Sequence, residues 1–92
     1  MPRNPLSIVE TSRYVETLLQ LRLTDRQADE LIRGALFIIA RNPREGIRIA
    51  PNSHVWAIFF DAPTALTESY VLYYAFDNEK IYLLALRPCS ED

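Results

Sequence analysis

Two apolar segments joined by a short polar turn dominate residues 70–86 of the chain. Both segments are rich in β-branched and aromatic residues and contain neither Gly nor Pro, a composition that favours β-strands. The residues between them are Asp77, Asn78, Glu79 and Lys80, and Asp and Asn are common turn formers. The pattern therefore predicts a β-hairpin.

Both faces of this predicted hairpin are apolar. Strict alternation places Tyr70 and Tyr74 on one face of the first strand and Tyr73 on the other. A strand that is covered on one side only should alternate apolar with polar residues. We therefore expect the hairpin to lie centrally in a sheet with cover on both faces. On the second strand, alternation assigns Ile81, Leu83, Ala85 and Arg87 to one face and Tyr82, Leu84 and Leu86 to the other.

The N-terminal apolar run, residues 6–10, has two interpretations. It predicts a short edge strand, or a helix that begins with Ser7 and Glu10 as a capping box. We favour a strand up to Glu10 and a helix from Ser12. The predicted buried face of that first helix contains Val15, Leu18 and Leu19.

A second helix has clearer boundaries. Thr24 and Gln27 form a capping box at its start, and Pro43 ends it because the residue before Pro avoids the α-helical region. Gly34 in its interior costs about 1 kcal/mol relative to Ala, which close packing against the first helix would explain. Its predicted core face is Ala28, Leu31, Ile32, Ala35, Leu36 and Ile39.

Strands are also predicted for residues 47–49 and 54–60, with a loop over residues 61–68 and a last strand that ends at Arg87 and Pro88. The expected architecture is α+β: an N-terminal strand and a two-helix hairpin packed on a small, antiparallel-rich sheet of 3–5 strands. At 92 residues, the chain is expected to form a single domain over residues 1–92.

Two helices can cover only one face of such a sheet. The other face would expose a contiguous apolar patch, which usually marks an interaction site. We expect the partner to be another chain or a second copy of this one. The predicted partner contacts are Trp56, Phe60, Tyr70 and Tyr74, or the alternate set on the other side of the strands, and Phe37, which widens the apolar stripe of the second helix.

The composition of the chain excludes several classes of site and function. A single cysteine, Cys89, excludes an internal disulfide and suits a reducing compartment, so we expect a cytoplasmic protein. With one Cys and one His, neither a metal nor another cofactor is expected. No apolar run is long enough to span a membrane. The net charge of −2 makes general nucleic-acid binding unfavourable, although a local basic patch is compatible with it.

The order of these elements resembles the RelE/ParE superfamily of toxins from bacterial type II toxin–antitoxin modules. The resemblance covers about residues 6–88 and depends on two motifs. The first is the corner Asn42-Pro43-Arg44-Glu45-Gly46, and the second is Tyr70-Val71-Leu72-Tyr73-Tyr74 followed by an acidic turn and Ile81-Tyr82-Leu83-Leu84.

The resemblance implies a toxin that is neutralised by a cognate antitoxin wrapped around its helices and sheet. The RelE branch cleaves mRNA on the ribosome, whereas the ParE branch poisons DNA gyrase without the nuclease site. The resemblance implies two arginines in RelE-like nucleases that this chain lacks. One is usual on the middle strand, where this chain has His54-Val55-Trp56-Ala57-Ile58, and the other just before Val71, where it has Ser69-Tyr70. The sequence therefore does not decide whether the chain is a catalyst. A catalytically silent interaction module is an alternative to the nuclease.

A rearranged nuclease site would use three residues. His54 would act as acid or base because its intrinsic pKa suits proton transfer, and Arg48 and Arg87 would hold the phosphate. The alternative interpretation makes His54 a polar turn residue and Arg48 part of a solvated strand face.

Overall fold

A computed structural model describes residues 5–61 and 69–89. Its five strands form one mixed sheet in the order β1-β5-β4-β3-β2, in which β1 runs parallel to β5 and the other neighbours are antiparallel. The predicted α+β class is confirmed. No helix in the described part of the chain is long and apolar enough to cross a membrane. The elements are β1 (Ser7–Glu10), α1 (Ser12–Gln20), α2 (Asp25–Arg41), a 3-10 turn (Pro43–Glu45), β2 (Ile47–Arg48), β3 (Trp56–Asp61), β4 (Ser69–Phe76) and β5 (Lys80–Pro88).

The predicted hairpin is β4 and β5, and the Asp77 side chain organises its turn. The Asp77 carboxylate accepts hydrogen bonds from the backbone N–H groups of Glu79 and Lys80, both at 2.8 Å. These bonds hold the pKa of the Asp77 carboxyl below its usual value. The central position of β4 between β3 and β5 is as predicted.

The strict alternation predicted for β5 is wrong because the strand contains a bulge. Tyr74 pairs with Leu83, but Tyr73 pairs with Ala85, so Leu84 is an extra residue. Beyond this point every side chain changes face. Leu86 consequently joins Leu83 on the helix-covered face, whereas Ala85 and Arg87 lie on the opposite face.

Helix α1 begins at Ser12 as predicted, and of its predicted buried face Leu18 packs against the core, but Val15 and Leu19 do not. Leu19 is 72% exposed and Val15 38% exposed, whereas Tyr14 is fully buried and Thr17 is buried. Thr11 caps the helix and also donates a 2.7 Å hydrogen bond to the Leu83 carbonyl. This tether to β5 fixes the rotation of α1 and turns Tyr14 toward the core.

Helix α2 matches the prediction closely. The Thr24 and Gln27 side chains form the reciprocal capping box, and the backbone N–H of Asn42 donates to the Ile38 carbonyl at the C-terminal end. Its buried residues are Ala28, Leu31, Ile32, Ala35 and Ile39, with Leu36 partly buried.

Helix packing does not explain Gly34, contrary to the sequence-based expectation. A Cβ added to Gly34 would meet no heavy atom within 4 Å. We therefore expect Gly34→Ala to raise the free energy of unfolding by about 1 kcal/mol, because Ala loses less backbone entropy in a helix. Thermal or urea denaturation checks this prediction, and a destabilised variant would contradict it.

The helices cover the face of the sheet that carries Trp56, Phe60, Tyr70 and Tyr74. The opposite face, here called the open face, carries Tyr73 and the other members of the alternate set. Strand β3 begins at Trp56, two residues later than predicted. Most of the predicted loop, residues 62–68, and the last residues, 90–92, lie outside the described residues.

Candidate functional site

Arg48 lies on the helix-covered face of the sheet, at its edge. It pairs with Trp56 across β2 and β3, and its guanidinium lies over the Trp56 ring at 5.4 Å from the centroid. Its Nη1 also donates to the Pro51 carbonyl at 3.1 Å. These contacts keep the cation beside the indole.

Arg87 lies on the open face. It pairs with Val71, which in turn pairs with Phe59 of β3. Because Phe59 and Trp56 are three residues apart on one strand, their side chains point to opposite faces. The structure therefore does not bring Arg48 and Arg87 together. His54 is exposed and precedes the first residue of β3.

A groove of about 460 Å³ on the open face contains Arg87 and an arginine that the sequence did not indicate, Arg13 of α1. Tyr73 of β4 and Glu16 of α1 also line it. In residues 5–61 and 69–89, the ion pair found joins Arg26 to Glu30, so neither groove arginine is paired there. Guanidinium groups favour carboxylate and phosphate partners. The groove can therefore hold an anionic group.

The bulge in β5 connects α1 to this groove. The backbone N–H of Leu86 donates to Thr17 Oγ1 at 3.0 Å, and the Thr17 hydroxyl donates to the Tyr14 carbonyl at 2.8 Å. With the Thr11 tether, these bonds fix α1 against β5 at two points. They position Arg13 and Arg87 around one groove although the two residues are far apart in sequence.

The predicted partner-binding residues occupy different environments. Tyr74 is fully buried and Tyr70 is 5% exposed, both beneath the helices. Trp56 and Phe60 are partly buried against the same core. Phe37, by contrast, is 58% exposed, and the Arg41 guanidinium stacks on its ring at 3.7 Å. Phe37 is thus the member of the predicted set with the most accessible side chain.

The Tyr74 side chain stabilises the corner at residues 42–46 through two hydrogen bonds. The Tyr74 hydroxyl donates to the Pro43 carbonyl at 2.6 Å and accepts from the Gly46 N–H at 3.2 Å. Burial is the main cause that raises the pKa of Tyr74, so the phenol stays neutral. Among the described residues, no group of three or more His, Cys, Asp and Glu is placed to hold a metal ion.

Comparison with known proteins gives one informative match. No family model and no curated protein matches the sequence. Among solved structures, the chain is similar to one chain of the crystal structure of the toxin–antitoxin complex RelBE2 from Mycobacterium tuberculosis, with 17% identity and a TM-score of 0.66. The match covers 96% of this chain and 95% of that one. The predicted fold, with two helices on a small sheet, is therefore one that this chain shares with a chain of that complex.

Proposed function

We propose that this chain is the toxin component of a bacterial type II toxin–antitoxin module and acts in the cytoplasm. The observation that carries the proposal is the likeness of nearly the whole chain to one chain of a toxin–antitoxin complex. The partner is a cognate antitoxin that binds across the helices and sheet and blocks the action of the toxin.

The surface supports a protein that works by binding. Large apolar side chains are exposed on α2, β2 and β3, a pattern that is typical of interaction sites. The open-face groove adds two arginines that form no ion pair within residues 5–61 and 69–89, and they suit an anionic target such as mRNA on the ribosome or the DNA held by gyrase. The exposed apolar residues in these elements include Phe37, Ile38, Ile47 and Phe59.

A second candidate function is cleavage of mRNA by a rearranged site. One observation favours it: Arg13 and Arg87 line the same groove as Tyr73, whose ring could stack on a base. Such a site would draw its phosphate-binding charge from Arg13 and Arg87, since Arg48 lies on the other face of the sheet.

We expect induction of the chain alone to stop growth of a bacterial host that lacks the antitoxin. The double variant Arg13→Ala/Arg87→Ala should restore growth, because an anionic target loses both of its charge-assisted hydrogen bonds. Arg33→Ala, an exposed arginine of α2 outside the groove, is the matched control and should still arrest growth.

Sequencing of mRNA fragments from ribosomes and detection of gyrase-linked DNA breaks then distinguish mRNA cleavage from gyrase poisoning. Cut mRNA at ribosomes supports the nuclease, and DNA breaks support a gyrase poison. Arrest by all three folded proteins would exclude the groove as the acting site. Normal growth with folded wild-type protein would overturn the toxin proposal.

A further inference from the structure

The outer edge of β3 is only partly paired. Strand β2 pairs with Ala57 and Trp56, whereas residues 58–61 have no strand neighbour on that side within the described part of the chain. On the inner side, the same four residues are all paired with β4. An unpaired strand edge is a template on which another extended chain can add.

The backbone groups at this edge can be assigned from the pairing. The Ile49 N–H donates to the Val55 carbonyl at 3.1 Å, so the Val55 backbone points outward toward β2. In an antiparallel strand this direction alternates. Phe59, four residues further on, therefore also directs its N–H and C=O outward, beyond the end of β2.

A groove of about 230 Å³ runs beside this edge, between β3 and α2. Its walls are mainly apolar and include Gly34 and Ile38 of α2 and Ile58 of β3. A second depression of about 320 Å³ continues it toward Ile47 and shares Ile38, Ile58 and Phe59 with it. We call the two together the edge groove. Its lining is accessible at Ile38, which is 44% exposed, whereas Ile58 is buried at 9% exposed.

The packing of the fold does not explain why α2 has a glycine at position 34, but the edge groove does. It lies inside α2, where glycine is unfavourable, and no neighbouring atom requires its small size. A side chain at this position would project into the edge groove, whose lining includes Gly34. The missing side chain therefore leaves space for a ligand.

The charges of the edge groove indicate what the ligand carries. Glu30, Glu45 and Asp61 line it, and neither Lys nor Arg does so among the described residues. Because Glu30 is ion-paired with Arg26, the net negative charge of the rim comes from Glu45 and Asp61. A second copy of this chain would bring two such acidic edges together, which is unfavourable. An extended segment with apolar residues at alternate positions and Lys or Arg at its ends fits both the walls and the charge.

We propose that the edge groove binds such a segment of a partner protein, which adds as a sixth strand beside β3 through main-chain hydrogen bonds to Phe59. Alternate apolar side chains of the segment pack on Ile38, and its basic residues face Glu45 and Asp61. The binding mode follows from the edge itself; only the identification of this partner as the antitoxin rests on the proposed function.

The test uses a synthetic peptide in which Val alternates with Thr between terminal Arg residues, added to the ¹⁵N-labelled full chain. Binding should slow hydrogen exchange of the Phe59 amide. Gly34→Leu should weaken binding by about tenfold or more without lowering the melting temperature, because it fills the groove with a good helix former. Arg33→Leu, on the same helix but outside the groove, should bind like the wild type.

Control peptides separate strand addition from other modes. A peptide with N-methylated Val cannot donate main-chain hydrogen bonds, and one with terminal Glu repels the acidic rim. Both should lose binding. Equal binding of either control, unchanged affinity of Gly34→Leu, or an unprotected Phe59 amide up to the solubility limit of the peptide would overturn the proposal.

Three further outcomes are decisive. Sedimentation that shows a dimer of the chain alone, with Phe59 already protected, would assign the edge to a second copy and overturn the proposal. If the peptide binds as expected but the chain does not arrest growth, the edge groove stands and the toxin function fails. Growth arrest without peptide binding would support the toxin function and overturn the edge-groove proposal.

Discussion

Gly46→Ala is expected to lower the free energy of unfolding by about 3 kcal/mol or more. A Cβ at Gly46 would lie 2.6 Å from the Ala57 carbonyl oxygen and overlap the Tyr74 hydroxyl, whereas real Cβ atoms essentially never approach within 3.0 Å. Neither neighbour can move cheaply, because one is strand backbone and the other is a fully buried phenol. For a domain of this size, the melting temperature should fall by about 12 °C or more.

The matched control is Gly34→Ala, the same chemical change at a position with no atom within 4 Å. It should raise stability while Gly46→Ala lowers it. Chemical denaturation of the three proteins provides the measurement. Equal stability of Gly46→Ala and the wild type would mean that the close approach of the corner to β3 does not exist.

Tyr74→Phe should have the second large effect, a loss of about 2–4 kcal/mol. The substitution removes one hydroxyl that satisfies two backbone groups, the Pro43 carbonyl and the Gly46 N–H. Each group left without a partner costs about 1–3 kcal/mol when it is desolvated. Because these groups belong to the corner that leads into β2, exchange of the amides around Ile47 should also become faster.

Tyr14→Phe is the control, because the Tyr14 hydroxyl is equally buried but has no hydrogen-bond partner among the described residues. Burial, with a smaller contribution from Glu10 and Asp29, raises the pKa of Tyr14. Removal of an unpaired buried hydroxyl should leave stability unchanged or raise it by about 1 kcal/mol. A larger loss for Tyr14→Phe than for Tyr74→Phe would contradict the assigned roles of the two tyrosines.

The parts of the fold that the sequence predicted well are those with redundant local signals. In α2, a capping box, a helical apolar period and a following Pro all indicate the same boundaries. The β4–β5 hairpin is similar, since apolar arms flank a turn led by Asp77. Local physics alone is sufficient in both cases.

The sequence-based predictions fail where tertiary contacts determine which face of an element is buried. Helix α1 has apolar residues on more than one side, and its rotation is set by Thr11 and Thr17 through bonds to a strand about seventy residues away in sequence. The bulge at Leu84 reverses the faces of the rest of β5 without a Gly or other local sign. Neither effect is visible in a residue pattern.

The same limit applies to the candidate site. Alternation shows which side chains share a face of a strand, but not which face the helices cover. The sequence therefore places Arg48 and Arg87 in one candidate site, although the sheet separates them. Arg13 could not be found, since it reaches the groove only because α1 is tethered to β5. Exposed Ile38 and Phe59 look like core residues until their edge position is known.

The most direct test of the central claim is growth of one bacterial strain in which this chain and the protein encoded by the adjacent gene are induced separately and together. We predict arrest with this chain alone, normal growth with the neighbour alone, and restored growth when both are induced, with the two proteins purified as one complex. Normal growth after induction of this chain alone, with soluble and folded protein in a host that lacks an antitoxin, would contradict the proposed function.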